Sequence, residues 1–107
     1  MPHSEISPQS LAARLTNGDA LVIIDVREPW EYDLANIPNS DLVPLSTLPS
    51  ATNRFDKTAS YVVLCHHGMR SEMAANWMRS QGFTSVLNLT GGIEAWSMDV
   101  DDSVPRY

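Results

Sequence analysis

Tyr61-Val62-Val63-Leu64-Cys65-His66-His67-Gly68-Met69-Arg70-Ser71 passes from an unbroken apolar run into a polar, glycine-containing loop and then into a helical pattern. Tyr61 to Leu64 shows no polar alternation, which is the signature of a strand buried on both faces of a parallel sheet. Ser71 to Gln81 reads as a helix, with Ser71 as its cap and Ala74, Ala75, Trp77 and Met78 on the sheet-facing side. Gly82 stops it. Strand, loop and helix in that order put Cys65 at the carboxyl edge of a sheet, where open α/β domains hold their ligands.

The same alternation continues outward in both directions. Leu21-Val22-Ile23-Ile24 and Val86-Leu87-Asn88-Leu89 read as further strands, and Asp41-Leu42-Val43-Pro44 as a brief one ended by proline. Ser7 to Leu15 opens as a helix in which Ser7 caps and Pro8 sits where a missing N–H does no harm; Asn17-Gly18 ends it. Pro29 to Ala35 is a short helix. Ser46 to Phe55 is a short helix followed by loop, with Pro49 limiting its regularity. Gly91-Gly92 leads into a last helix over Ile93 to Ser97, and Met98 to Tyr107 is an acidic tail expected to lie irregularly over the surface. The expected class is therefore α/β: a three-layer domain with a mostly parallel central sheet of four to five strands and helices on both faces. At 107 residues, with no repeat and no linker, residues 1–107 form one domain, of which 98–107 is the tail.

Composition narrows the function. Seven Lys plus Arg against thirteen Asp plus Glu, a net charge of -6, leaves no surplus to neutralise phosphates, so no nucleic acid or anionic membrane partner is expected. No stretch approaches the roughly 18 to 20 apolar residues of a membrane span. Met1 to Gln9 lacks a basic region followed by an apolar run, so no secretory signal is read there. One cysteine permits no internal disulfide and no thiolate cluster for zinc or iron–sulfur. A lone thiol suits a reducing compartment, and the cytoplasm is the expected location.

The loop after Leu64 carries the chemistry. Amides following Cys65 can curl around a point above its sulfur, close to the positive end of the next helix. Such donors stabilise a thiolate nucleophile and equally the anionic outer sulfur of a persulfide. Gly68 permits the tight turn. The competing interpretation is an inert core cysteine, since free Cys is among the most buried residue types; a polar loop and a helix start directly after it argue against that. His66 and His67 make a poor zinc site, because no third ligand stands close in sequence and His3 is the only other histidine. No metal is expected there, and the pair is expected to line the pocket mouth, where partial positive charge attracts an anionic donor. Arg70 either fixes the loop through carboxylates or faces substrate. Met69 points into the pocket or lies on its rim. Asp25, a carboxylate at the end of an apolar run, needs a buried partner.

Three stretches in this order are distinctive: Asp25-Val26-Arg27-Glu28 with Glu31-Tyr32 and Ile37-Pro38-Asn39-Ser40; Cys65 through Ser71; and Leu89-Thr90-Gly91-Gly92-Ile93-Glu94-Ala95-Trp96. From Ile6 to Ser97 the chain resembles a single-domain rhodanese of the rhodanese-like sulfurtransferase family. Its tail, Asp99 to Tyr107, resembles the ending of rhodanese domains fused to adenylyltransferases of molybdopterin and thiocarboxylate pathways. The chain is thus a free-standing relative or an excised domain, and Met1 with an N-terminal strand and helix favours the former.

The resemblance implies a fold and a set of roles. Cys65 accepts a sulfane sulfur, and the amides from His66 through His67, Gly68, Met69 and Arg70 to Ser71 form the cradle. Asp25 and Arg27 hold the loop by buried polar contacts, although Arg27 could equally pair with Glu28 or Glu31. Gly91-Gly92 makes a close turn beside the loop, and Trp30 and Trp96 pack. The implied reaction takes sulfur from thiosulfate or a protein persulfide to cyanide, a thiol or a sulfur-carrier pathway, without metal or organic cofactor. Implied partners are a small anionic donor such as thiosulfate and possible persulfide-donor or sulfur-acceptor proteins. Two alternatives stand beside it. A cysteine phosphatase or arsenate reductase would share the fold, but four residues separate Cys65 from Arg70 where the phosphatase signature has five, and Ser71 stands where its arginine would. A non-catalytic binding or regulatory domain is the other, and retention of Cys65 and Gly68 argues against it.

Overall fold

The computed structural model describes residues 4–107; Met1 and His3, on which two of the expectations above rest, lie outside them. Five strands form one sheet in the order β1-β5-β4-β2-β3, all pairs parallel. They are β1 Glu5–Ile6, β2 Leu21–Asp25, β3 Asp41–Leu42, β4 Ser60–Leu64 and β5 Ser85–Leu89. The helices are α1 Pro8–Thr16, α2 Pro29–Leu34, α3 Leu48–Ala51 between two 3-10 turns, α4 Met69–Ser80 and α5 Gly92–Asp99. The α/β class, the parallel sheet and the helices on both faces are as the sequence predicts. β1 is two residues long, too short for any periodicity to announce it.

β4 sits in the middle of the sheet and separates two cores by alternation. Tyr61, Val63 and Cys65 enter one apolar cluster with Ile24, Val26, Leu48, Ala74, Ala75, Met78 and Val86, beneath α3 and α4. Val62 and Leu64 enter the other with Ile6, Leu11, Ile23, Leu89, Ile93 and Trp96, beneath α1 and α5. Each large apolar side chain enclosed in this way contributes about 1.5–3 kcal/mol, so the central strand is the rigid base on which the loop after it stands.

Three elements depart from the sequence reading. α4 begins at Met69, not Ser71, because Gly68 takes a left-handed φ of 111° and turns the chain into the helix two residues early. Ser71 is therefore inside the first turn and does not cap. The tail begins later than expected, since α5 carries Met98 and Asp99. It is also less superficial: Val104 is buried in the second core, and the Ser97 hydroxyl donates to its carbonyl. Trp30 does not pack inside; it is 61% exposed and makes a T-shaped ring contact with Tyr107, whereas Trp96 is buried as expected.

Candidate active site

Cys65 follows the carboxyl end of β4, with its side chain turned into the α4 core. The Gly68 amide donates to Sγ at 3.0 Å, and the Ser71 hydroxyl lies 3.4 Å from the same sulfur. The remaining first-turn amides of α4 have no intrahelical acceptor. Cys65 is only 2% exposed. That is more enclosed than a reactive thiol at a loop mouth was expected to be, and it limits direct access to small or narrow donors.

Ser71 connects the sulfur to the sheet. Its hydroxyl has a single proton and three acceptors in reach: Asn88 Oδ1 at 2.5 Å, the Gly68 carbonyl at 3.2 Å and Sγ. Asn88 Nδ2 donates to the Gly68 carbonyl at 3.1 Å, so β5 holds the turn that presents the sulfur. The signal for Asn88 was present in the sequence: an amide within an apolar strand must find partners or cost stability.

Gly91-Gly92 pins the other side of the loop. α5 donates from Ile93 N to the Cys65 carbonyl at 2.9 Å and from Glu94 N to the His66 carbonyl at 3.2 Å. A Cβ on Gly92 would lie 2.4 Å from both carbonyl oxygens, so only glycine allows this approach. The expected close turn is present.

Arg70 is committed to a carboxylate. Its guanidinium grips Glu31 with two hydrogen bonds, Nη1 to Oε1 at 2.6 Å and Nη2 to Oε2 at 2.9 Å, tying α4 to α2. Glu31 also accepts from the Glu28 amide at 3.0 Å and from the Tyr107 hydroxyl at 2.7 Å. Neither Glu31 as the hub nor Tyr107 as part of the site was legible in the sequence; a carboxylate in a short amphipathic helix gives no sign of its partners. Arg27 pairs with Asp25, not with the side chain of Glu28 or Glu31: Nε and Nη2 donate to its carboxylate at 2.6–3.0 Å, and both residues are 0% exposed. The guanidinium also donates to the carbonyls of Ala35 and Glu31 and to the Tyr107 hydroxyl. Asp25 and Arg27 thus reach the sulfur loop through Tyr107, Glu31 and Arg70 in turn, rather than touching it.

Electrostatics follow from these pairings. Hydrogen bonds from Arg70, foremost, hold the Glu31 carboxyl at about 2, down from 4.5. Glu31 in turn raises Arg70. Burial pushes the Tyr107 phenol up to about 12. Burial also lowers His66, with His67 adding to it, which works against a positive charge at the mouth. Met69 is 79% exposed. The sign for acid stability is set by Glu31. Its folded value lies below the ordinary one, so its contribution is complete above about pH 4.5 and is lost as pH falls toward 2. With Arg70 37% exposed, the loss should be on the order of 2 kcal/mol after allowing for solvent screening. Urea midpoints of the parent and of Glu31→Gln at pH 6 and pH 3 measure it: the gap between the two proteins should narrow at the lower pH.

Comparison with known proteins gives a consistent picture. The family model "Rhodanese-like domain" matches residues 7–99. The chain is 39% identical over 99% of its length to the Rhodanese-like/PpiC domain-containing protein 12, chloroplastic, of Arabidopsis thaliana, of which it spans 38%. It is 34% identical to a protein of Allochromatium vinosum named sulfurtransferase, covering 88% of each chain. Alignment over 97% of the chain, at 32% identity, extends to the probable adenylyltransferase/sulfurtransferase MoeZ of Mycobacterium tuberculosis, which is much longer: the chain spans 27% of it. A crystal structure of a rhodanese-like domain protein from Staphylococcus aureus superposes with a TM-score of 0.84 at 29% identity, covering 97% of this chain and 98% of that one.

Proposed function

This chain belongs to the rhodanese-like domain family, and on that premise we propose that it is a sulfurtransferase that carries sulfane sulfur as a persulfide on Cys65. The observation that carries the reading is the Gly68 N–H donating to a cysteine sulfur beyond the end of the central strand, with the Ser71 hydroxyl 3.4 Å from the same atom. The Cys65 thiolate attacks the outer sulfur of thiosulfate or of a persulfide. The S–S bond of the donor breaks, and sulfite or the donor thiolate leaves with the electron pair. The new outer sulfur carries the negative charge, where a backbone N–H and the Ser71 proton can meet it. Cyanide, a thiol or a carrier protein then takes that sulfur and restores the thiolate.

His66, His67, Met69 and Arg70 have different parts in this proposal. Arg70 spends two donors on Glu31 and so fixes the loop, which also disfavours phosphoryl transfer, where a bidentate guanidinium is needed on the phosphate. His67 and the enclosed rim select the donor. The family's small sulfur donors suit the narrow access to Cys65, and a reducing cytoplasm suits its lone thiol. The test is intact mass after incubation with thiosulfate. The protein should gain one sulfur atom, and cyanide should remove it; no gain, or a gain that cyanide leaves in place, overturns the proposal.

A further inference from the structure

The approach of α5 to the sulfur loop brings a third ligand to the two histidines, which their sequence neighbourhood does not contain. Glu94 lies in the first turn of α5, and its own amide is bonded to the His66 carbonyl, so its position relative to His66 is fixed through the backbone. The ring of His66 stacks between those of His67 and Tyr107, each centroid 4.0 Å away and tilted by 17° and 15°. Stacking fixes the ring plane and leaves its edge free. At that edge Nε2 is buried, has no hydrogen-bond partner and stands 3.7 Å from Glu94 Oε1, beyond hydrogen-bond reach. A buried ring nitrogen without a partner calls for an explanation.

We propose that His66, His67 and Glu94 form a site for a borderline divalent transition-metal ion, with zinc as the test ion. One ligand atom from each of the three residues lies within 4.8 Å of the others. Tetrahedral zinc with bonds of about 2.0–2.1 Å places its ligand atoms about 3.4 Å apart; because an imidazole binds in its ring plane and the two rings are parallel, exposed His67 must swing out of the stack by side-chain rotation to reach an ion held by His66 and Glu94. Two imidazoles and one carboxylate select zinc, copper or nickel over magnesium or calcium, which prefer oxygen ligands. Three protein ligands leave an open position. Arg106 Nη1 lies 3.8 Å from the other carboxylate oxygen of Glu94, Oε2, a long ion pair on the side away from His66. The Cys65 thiol is not among the ligands. An ion held here would tie two residues of the sulfur loop to α5, an effect on turnover that rests on the sulfurtransfer reading; binding itself does not.

The experiment is therefore one of binding. Metal-free protein is titrated with zinc against a chromophoric chelator, and cobalt is used in parallel to read the ligand field. One equivalent should bind, and cobalt should give the intense visible bands of a low-coordinate site. His67→Gln, at the surface, and Glu94→Gln, half-buried, both checked for folding by metal-free melting, should each weaken binding at least about tenfold. Cys65→Ala and His3→Gln should bind as the parent does. Absence of stoichiometric binding, retention of full affinity in both Gln variants, or loss of binding in Cys65→Ala would each overturn the site. Because none of these readouts involves sulfur transfer, failure here and failure of the mass test are separate results.

Discussion

Cys65→Ala will lose sulfur transfer by at least about 10⁴-fold, down to the uncatalysed background, because no other thiol in the chain can carry the intermediate. The same substitution should cost the fold only about 1 kcal/mol, since one small buried atom is removed from a well-packed core. The separation of the two effects is what distinguishes a nucleophile from an inert core cysteine. Turnover of thiosulfate to thiocyanate, followed with urea unfolding of the same preparation, reads both. Residual transfer near the parental rate would place the chemistry elsewhere. Cys65→Ser is a stricter companion, because it preserves the volume and the hydrogen bonds from Gly68 and Ser71 while its oxygen cannot hold a sulfane sulfur.

The largest loss of stability is expected from Arg27. Arg27→Met leaves the Asp25 carboxylate enclosed without its cation, and breaking a buried pair from one side costs about 3–5 kcal/mol. Removing both charges, as Asp25→Leu with Arg27→Met, should recover much of that loss, since the uncompensated charge is then gone. Urea midpoints of the two single variants and the double variant test the coupling. Additive losses would show that the ion pair is not the source. The effect should extend to activity as well, because Arg27 donates to Tyr107, Tyr107 to Glu31, and Glu31 fixes Arg70 at the start of α4.

What was legible in the sequence was whatever depends on local pattern. The apolar run before Cys65, the glycine in the loop and the capping of α1 by Ser7, confirmed by its acceptance from the Ser10 amide at 3.1 Å, are statements about neighbours along the chain. They gave the sheet, the layers and the position of the sulfur. The start of α4 was misjudged because serine is a good cap in general, and only the left-handed backbone at Gly68 shows that the helix has already begun. The ring of amides expected from His66 to Ser71 reduces at Sγ to the Gly68 amide with the Ser71 hydroxyl beside it. Glu31, Glu94 and Tyr107 could not be assigned to the site from pattern alone. Each comes from a different element, and each acquires its part through contacts between segments distant in sequence, which composition and periodicity do not encode.

Strand order has a consequence for how the molecule comes into being. β1, the first of these five strands to be synthesised, pairs with β5, the fifth, with Glu5 beside Asn88 and Ile6 beside Leu89. A nascent chain emerging from the ribosome therefore carries its opening strand unmatched until nearly all the rest has followed. The carbonyls of Cys65 and His66 wait even longer, for Ile93 and Glu94. Long-range pairing of this kind is slow to close, so a truncated translation product would present unpaired strand edges to chaperones and proteases, and a thiol without its finished setting.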